Sequence, residues 1–416
     1  MMNHISNNSI LSPSQFGFRK GHSIYMPLLI LQDTITKGFE HNKFTCGIYL
    51  DLKKAFDTVE HQILFSKLHA YGFSGIFLNL LKSYLTDRYQ CVKYMNIQSS
   101  MQKINIGVPQ GSILGPLLFI LYINDLPNVC KQALTLLYAD DTAIFFQTDS
   151  IVTLQNILDT NLPMLCKWFQ INKLSLNASK TFYQLYSTSH QNVQIKVNLN
   201  ETDIKHTDTV KYLGVLIDTN LKWKSHIDHV AAIVSRNIGV MNRSKFFLKQ
   251  KHLLLLYNSL VLPYFNYCCL IWGNSAQSLI SKLFILQKKA IRIIDNQTRI
   301  AHSNPLFVKL QLLKLKDIVK QQSILVMHGV FSRDAPTLVR SLFNFQAPNL
   351  RETRTIRHFE EIFTRKLFRI RTISWLGPRL WNSYISPISH NAAPLTKKLI
   401  KEITKRQILA EYAEML

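Results

Sequence analysis

The stretch Leu134-Thr-Leu-Leu-Tyr-Ala-Asp140-Asp141-Thr-Ala-Ile-Phe-Phe146 places two acidic residues between two apolar, β-prone runs. The two runs predict a pair of strands, with Ala139-Asp140-Asp141 as the hairpin turn. A third carboxylate, Asp51, follows the apolar run at residues 45–50, which predicts a buried strand. Carboxylates beside apolar strands are costly unless a cation or a donor lies there. The three aspartates therefore predict a cation site, whereas an Asp-Asp turn by itself is common and would be structural only.

The charge of such a site indicates which cation it would hold. Three converging carboxylates repel one another unless positive charge neutralises them. Nucleotidyl transfer uses two divalent ions about 3.5–4 Å apart to activate the attacking oxygen and stabilise the leaving one. Magnesium prefers carboxylate oxygens, so the predicted cofactor is a pair of Mg²⁺ ions, with Mn²⁺ as the alternative.

Charge along the 416-residue chain is strongly asymmetric. Lys and Arg number 49 against 25 Asp and Glu, a net charge of +24, of which residues 1–190 hold +4 and residues 191–416 hold +20. A near-neutral first half before a basic second half predicts a catalytic core followed by a polyanion-binding surface. A generally basic surface without a specific partner is the alternative. Candidate phosphate contacts are Lys245, Lys249, Lys251, Lys288, Lys289, Arg292, Arg365, Lys366, Arg369 and Arg371.

Composition excludes several other classes of protein. No apolar run approaches the roughly 18–20 residues of a membrane span, so no membrane partner is expected. The polar first residues do not have a signal-peptide layout, so secretion is not expected. Six cysteines without a CxxC pair exclude a disulfide scaffold and a Cys-type zinc site. A nuclear or cytoplasmic location is therefore predicted, with Cys268 and Cys269 as packed thiols.

Periodicity gives a coarse element pattern. Residues 58–86 predict helices with a break at Gly72, residues 90–106 a hairpin, and residues 116–123 and 151–170 helices. The run 210–217 predicts one strand, and the pattern is helical from about residue 221. His61 and His69 are expected on a helix surface, since no other ligand lies at metal-binding spacing.

Three motifs occur in a fixed order: Asp51-Leu-Lys-Lys-Ala-Phe56-Asp57, then Gly107-Val-Pro-Gln110-Gly111-Ser112, then Tyr138-Ala-Asp140-Asp141. In this order they resemble the reverse transcriptases of non-long-terminal-repeat (LINE-like) retrotransposons, of the jockey and chicken-repeat-1 type. Flanking blocks agree with the resemblance. They are Gln15-Phe-Gly-Phe-Arg19-Lys-Gly-His22, Asn177-Ala-Ser-Lys180-Thr, Tyr212-Leu-Gly-Val, Trp272-Gly and Gly377-Pro-Arg-Leu-Trp-Asn-Ser383.

The resemblance implies an α+β fold, that of a right-hand polymerase with an antiparallel-sheet palm. It implies residual fingers at 1–45, the palm at 46–220, a helical thumb at 221–300 and a basic C-terminal region at 301–416. The implied activity is RNA-directed DNA polymerisation, with an RNA template, a DNA primer and dNTP as partners.

The resemblance also implies residue roles. Asp51, Asp140 and Asp141 would bind the metals, with the Leu52 carbonyl as a further ligand. Phe56 would be the gate that excludes a ribose 2′-OH, or otherwise a core aromatic. Gln110 and Gly111 would lie against the incoming nucleotide. Two basic residues complete the set: Lys180 would protonate the leaving pyrophosphate or be a solvated loop lysine, and Arg19 would contact template or triphosphate.

The sequence departs from the family pattern near its start. The resemblance begins at about residue 15, and the preceding fingers segment, the endonuclease and a Cys/His knuckle have no counterpart. An N-terminally truncated element is therefore expected. The alternative function is a catalytically inactive remnant that binds nucleic acid.

Overall fold

Residues 1–188, 195–199, 202–346, 358–388 and 396–414 are described in a computed structural model of the chain. Their contacts divide the chain into two compact units. The first unit comprises Met1–Pro27 and His41–Asp208, and the second comprises Leu28–Glu40 and Thr209–Leu416. The predicted division into fingers, palm, thumb and C-terminal region stays a prediction.

The first unit combines helices with a mainly antiparallel sheet, so the predicted α+β class is confirmed. Its helices are α1 (Met2–Asn7), the first residues of α2 (Tyr25–Glu40), α3 (His61–Ala70), α4 (Gly75–Leu85), α5 (Leu114–Tyr122) and α6 (Ile151–Ile171). Its strands are β1 (Phe44–Leu50), β2 (Arg88–Gln90), β3 (Lys93–Tyr94), β4 (Ile97–Gln98), β5 (Gln102–Ile104), β6 (Leu134–Tyr138), β7 (Asp141–Thr148), β8 (Phe182–Tyr186), β9 (Asn198–Leu199), β10 (Thr202–Asp203) and β11 (Lys205–His206).

The main sheet has the strand order β11-β8-β1-β7-β6. β1 is central and almost wholly buried, in agreement with its apolar sequence. It pairs antiparallel with β7, with Leu50 opposite Thr142, and β6 and β7 form the predicted hairpin. The ends of β1 and of the hairpin therefore meet at one edge of the sheet.

Apolar helices complete the core of this unit. Residues 117–122 of α5 are all buried, as expected for a helix that is hydrophobic on every side. α3 packs on α5, and α6 packs on β7. Gly72 breaks the helical stretch at a φ of +85°, as the sequence predicts, because this left-handed backbone favours glycine. The predicted hairpin at 90–106 is present as β2–β5 and β3–β4.

The prediction of a single strand at 210–217 is wrong. This segment forms a separate hairpin of β12 (Thr209–Tyr212) and β13 (Val215–Asp218) in the second unit. Leu213 and Gly214 have φ values of +46° and +73°, the left-handed pair that a two-residue hairpin turn requires. The Tyr267 hydroxyl donates to the Leu213 carbonyl at 2.9 Å and supports the turn.

From residue 221 the described residues of the second unit are mainly helical, as predicted, with one isolated antiparallel bridge between Phe345 and Phe359. Its helices are α7 (Lys224–Ser244), α8 (Gln250–Leu260), α9 (Leu262–Asn266), α10 (Cys269–Trp272), α11 (Gln277–Ile294), α12 (Asn304–Lys309), α13 (Leu315–Phe331), α14 (Thr337–Arg340), α15 (Leu367–Ile370), α16 (Ile373–Tyr384) and α17 (Lys397–Glu414). α7, α8 and α11 pack on one another, and α13 packs on α16 and α17.

One predicted phosphate contact is wrong, because Arg369 is buried in this unit. Its guanidinium forms an ion pair with Asp33 of α2, and both residues are 2% exposed. Ser374 donates to the same carboxylate at 2.7 Å. Arg369 therefore holds two distant parts of the unit together and is not available to nucleic acid.

The cysteines agree with the sequence. All six are free, and Cys268 and Cys269 are buried thiols as predicted. Among the described residues, no helix combines the length and apolarity needed to cross a membrane.

Candidate active site

The three predicted aspartates lie at the same edge of the main sheet. Asp51 follows Leu50 at the end of β1, next to the start of β7. Asp141 is the first residue of β7 and pairs with Tyr138, and Asp140 lies in the turn between them. The pairing of β1 with β7 brings together residues that are about 90 positions apart in the sequence.

The electrostatics show that these carboxylates interact. The pKa of Asp141 is raised to about 6, first because the surrounding protein desolvates its carboxyl and then because of the negative charges of Asp140 and Asp51. A raised pKa of this kind means that the site disfavours a third negative charge. A cation bound at this edge would relieve that repulsion.

The loop after α6 fixes Asp51. The Asn177 amide donates to Asp51 Oδ2 at 2.9 Å, and its backbone N–H donates to the Asp51 carbonyl at 2.8 Å. The Asp51 N–H donates to Thr181 Oγ1 at 3.3 Å. Leu52 is buried and forms an antiparallel bridge with Leu176. Asn177 and Thr181 thus position Asp51, a role that the sequence analysis did not assign to them.

A buried glutamine supports the hairpin turn from the other side. Ala139, the residue before Asp140, has a φ of +57°, which is unfavourable for alanine. Gln15 is fully buried, and its Oε1 accepts hydrogen bonds from the N–H groups of Ala139 at 3.1 Å and Gly17 at 2.8 Å. Gly17 approaches so closely that a Cβ there would lie 2.3 Å from the Ala139 nitrogen.

Backbone pairing strengthens this contact. The Phe16 N–H donates to the Leu137 carbonyl at 2.8 Å, and the Leu137 N–H donates to the Ser14 carbonyl at 2.9 Å. Residues 14–17 therefore run beside β6 and hold the turn in its left-handed conformation. From the sequence, Gln15 belongs to a family block but has no predicted role. Its only local signal is a glutamine directly before an aromatic and a glycine.

The fit of a metal to this edge rests on its donor chemistry. Within the described part of the chain, no three His, Cys, Asp or Glu side chains are arranged to hold a metal ion. Asp51 Oδ2 instead accepts a hydrogen bond from Asn177. The candidate donors are all oxygens, three of them mutually repelling carboxylates, which is the donor chemistry that Mg²⁺ prefers. The assignment of Asp51, Leu52, Asp140 and Asp141 as metal ligands stays a prediction.

Phe56 lies five residues after Asp51 and is half-buried. Its ring packs on Phe119 of α5 with 4.5 Å between centroids, and Phe18 lies at 6.4 Å, edge-on. Its carbonyl accepts the Val108 N–H at 2.8 Å. Phe56 is thus held firmly, while part of its surface stays open to a ligand.

The glycine-rich loop at 107–111 presents the other predicted nucleotide contacts. Gln110 is exposed, and its amide donates to Asp57 Oδ1 at 2.7 Å. Gly111 has a φ of +77°, and a Cβ there would point into open space. Gly107, with a φ of +86°, packs against the Asp57 backbone, where a Cβ would lie 2.8 Å from the carbonyl oxygen. The loop therefore has a fixed base and an open tip.

A histidine holds the base of this loop, and the prediction that His61 lies on a helix surface is wrong. His61 is 6% exposed, and its Nε2 lies 2.7 Å from the Gly107 carbonyl oxygen, to which it donates. His69 is exposed, as predicted.

The two predicted basic contacts differ in availability. Arg19 is half-buried, and its Nη1 donates to the carbonyls of Ser12 at 2.8 Å and Gln15 at 3.1 Å. Burial lowers the pKa of Arg19. Lys180 is exposed in the same loop as Asn177, where its N–H donates to the Asn177 carbonyl at 3.0 Å. Arg19 already has a structural role, whereas the Lys180 ammonium extends towards solvent.

The chain is similar in sequence to known proteins. Residues 1–217 match the family described as reverse transcriptase (RNA-dependent DNA polymerase). The probable RNA-directed DNA polymerase from transposon BS of Drosophila melanogaster is 30% identical over 306 residues, which are 70% of this chain and 33% of that protein. The RNA-directed DNA polymerase from mobile element jockey of the same species is 29% identical over 315 residues, 73% of this chain and 34% of that protein.

The chain therefore spans about a third of the length of the curated relatives it matches. Among solved structures, telomerase from Candida albicans in complex with a fragment of telomeric RNA aligns with a TM-score of 0.40 at 13% identity. That alignment covers 75% of this chain and 57% of the telomerase chain.

Proposed function

Because this chain belongs to the reverse transcriptase family and has the α+β fold of a right-hand polymerase, we propose that it catalyses RNA-directed DNA synthesis for a non-long-terminal-repeat retrotransposon. The primer 3′-OH would attack the α-phosphate of a dNTP in line, and pyrophosphate would leave. The observation that carries this proposal is the meeting of Asp51, Asp140 and Asp141 at one sheet edge, where burial and then the charges of Asp140 and Asp51 raise the pKa of Asp141.

The carboxylates of Asp51, Asp140 and Asp141 and the Leu52 carbonyl would hold two Mg²⁺ ions, or Mn²⁺ in their place. Bound there, divalent ions would activate the primer hydroxyl and neutralise charge on the phosphates. Asn177 would orient Asp51 through its hydrogen bond to Oδ2, and Gln15 would orient Asp140 by fixing Ala139.

The remaining residues would bind the nucleotide. Phe56 would exclude a ribose 2′-OH, because its packing on Phe119 leaves the ring no room to withdraw. Gln110 and Gly111, at the open tip of their loop, would lie against the sugar and phosphates. Lys180 would give a proton to the leaving pyrophosphate, and Arg19 would contact template or triphosphate with the part of its guanidinium that the backbone leaves free.

The ligands would be an RNA template, a DNA primer and dNTP. The net charge of +20 in residues 191–416 suits phosphate backbones, which bind through counterion release. A reaction of this kind belongs in the nucleus or the cytoplasm.

A second candidate is a nucleic-acid-binding remnant without catalysis. The observation in its favour is that Asp51 Oδ2 is engaged with Asn177, and that the described carboxylates are not arranged to hold a metal ion. In such a protein the basic surface would still bind nucleic acid, but no nucleotide would be added.

Primer extension on poly(rA)/oligo(dT) with Mg²⁺ separates the two candidates. We expect extension by the full chain, and loss of extension with retained template binding in Asp140→Asn and Asp141→Asn. The matched control is Asp149→Asn, because Asp149 is an exposed aspartate paired with Lys43 near the other end of β7. Binding without extension by the unmodified chain would establish the remnant instead. Extension that survives both substitutions would overturn the catalytic assignment.

A further inference from the structure

Two adjacent phenylalanines stand in solvent at the turn between α7 and α8. Phe246 is 77% exposed and Phe247 is 88% exposed. We call residues 243–252, which form this turn and its flanks, the basic corner. Single exposed apolar side chains are normal on protein surfaces, but two consecutive aromatic rings left this open are not.

The backbone that carries the rings is held in a defined position. The N–H groups of Phe247 and Leu248 both donate to the Ser244 carbonyl, at 3.1 and 3.0 Å. Met241 is buried before the rings, Leu248 is half-buried and Leu253 is buried after them, so the turn is anchored on both sides of the exposed rings. A rigid, exposed aromatic pair loses little conformational entropy when it binds a flat partner.

All charged residues of the basic corner itself are positive. The basic corner contains Arg243, Lys245, Lys249 and Lys251 and no acidic residue. Residues 229–294 as a whole carry nine Lys and Arg and no Asp or Glu. Lys245 Nζ lies 5.1 Å from the centroid of the Phe246 ring. The corner therefore presents aromatic faces inside a field that attracts anions.

One acidic side chain reaches the corner from outside. Asp295 accepts a hydrogen bond from Gln250 at 2.7 Å and forms an ion pair with Lys309 at 2.6 Å. Its charge is thus balanced by Lys309. Among the described residues, none of the four corner cations forms an ion pair, so all four can bind an external anion.

Aromatic faces between cations match the chemistry of unpaired nucleotides. Bases stack on aromatic rings without regard to sequence, while Lys and Arg follow the phosphates. In a duplex the base faces are covered by neighbouring base pairs except at the ends, so a duplex has few base faces on which the two rings could stack. An anionic membrane would also attract the cations, but interfacial binding uses a broad apolar helix face. Here the exposed face of α7 next to the corner carries Arg236 and Asn242, with Val240 as a single exposed apolar side chain at 40% exposure, which is not a broad apolar face.

We propose that the basic corner binds single-stranded nucleic acid, with Phe246 and Phe247 stacking on unpaired bases and the four cations binding the flanking phosphates. The choice of nucleic acid as the ligand rests on the proposed function. The test measures binding in the absence of catalysis, so that a loss of primer extension can be distinguished from a loss of single-strand binding at the basic corner.

The test compares variants of the full chain by fluorescence anisotropy on oligo(dT) and oligo(rU) of about 20 nucleotides, longer than common single-strand site sizes. Phe246→Ala/Phe247→Ala should weaken single-strand affinity about tenfold for each base that loses its stacking partner. Phe246→Leu/Phe247→Leu should weaken it as much, and Phe246→Trp/Phe247→Trp should retain affinity. The control is Leu255→Ala/Ile285→Ala, which removes exposed apolar side chains outside the corner.

Two further measurements complete the test. Lys245→Gln/Lys249→Gln/Lys251→Gln should flatten the salt dependence of binding, by about 0.7 log unit per log unit of salt for each phosphate that the variant no longer neutralises. The double Phe→Ala variant should leave that slope unchanged. Full affinity in the Phe→Ala or Phe→Leu variant would overturn the stacking proposal. So would an equal loss of affinity on a blunt duplex, or Phe-dependent binding to anionic phospholipid vesicles without an effect on single strands.

Discussion

Replacing Gln15 by methionine tests whether this buried amide holds the turn that carries Asp140. Methionine fills a similar volume but accepts no comparable hydrogen bond, so the N–H groups of Ala139 and Gly17 lose their partner. Each buried N–H left unsatisfied costs about 1–3 kcal/mol. Gln15 Nε2 is itself buried and without a partner among the described residues. Its removal eliminates a desolvation cost of about 1–3 kcal/mol and so offsets part of the loss. The net local destabilisation is therefore about 1–3 kcal/mol.

Hydrogen–deuterium exchange of the peptide at 134–146 measures this change, because local opening there exposes the hairpin amides. We expect exchange to be faster by roughly 5- to 150-fold in Gln15→Met, and extension to fall because Asp140 is no longer held in position. Gln132→Met, an exposed glutamine just before β6, is the matched control. Exchange and extension that both equal those of the unmodified chain would refute the argument.

Three further predictions concern other residues. Phe56→Ala should lower the selectivity for dNTP over rNTP, measured as the ratio of their kcat/KM values, by about 1–3 kcal/mol. Unchanged selectivity would make Phe56 a packing residue only. Burial lowers the pKa of His226 to about 4, so the unfolded chain binds a proton at this residue more strongly than the folded chain does. The free energy of unfolding should therefore fall by about 3 kcal/mol as pH drops from about 6.5 to 4, and urea unfolding of His226→Asn should lack this pH dependence. Arg369→Met should lower the free energy of unfolding in urea, by less than the about 3–5 kcal/mol of a fully unpaired buried charge, because Asp33 keeps its ion pair with the exposed Lys37 at 2.9 Å and its hydrogen bond from Ser374. Adding Asp33→Asn should restore part of the loss, and no recovery would contradict this account.

Local pattern was enough to predict three of the five strands of the main sheet, but not β11 or the strand order. β1, β6 and β7 are apolar runs of strand length, and the acidic residues between β6 and β7 indicated the turn. Gly72 indicated the break between α3 and α4, because glycine adopts a left-handed backbone conformation at little free-energy cost. The same pattern singled out the candidate aspartates, but it left an ordinary structural turn as the alternative, and their assignment as metal ligands rests on the resemblance of the three ordered motifs to reverse transcriptases.

Contacts between distant residues could not be predicted from local pattern. Gln15 and Ala139 are 124 positions apart, and Asn177 and Asp51 are 126 apart, so no periodicity links them. His61 has the local pattern of a surface residue, because its hydrogen bond to the Gly107 carbonyl joins residues 46 positions apart.

The hairpin at 209–218 was missed for a related reason. Its turn places Leu213, which is not a glycine, in a left-handed conformation that the Tyr267 hydroxyl supports from 54 positions away. A local interpretation of Leu-Gly between two apolar runs favoured one continuous strand, because the stabilising hydrogen bond comes from far along the chain.

The ion pair between Asp33 and Arg369 has a consequence for the order in which the chain is made. The two residues are 336 positions apart, and the ribosome adds about 5–20 residues per second. Asp33 therefore leaves the ribosome roughly 20–70 seconds before the guanidinium that it pairs with. Throughout that interval Leu28–Glu40 is a nascent segment whose own folding unit has not yet been translated completely. Its apolar side chains must be shielded by transient contacts or by a chaperone, so the yield of folded protein should depend on translation speed and chaperone supply.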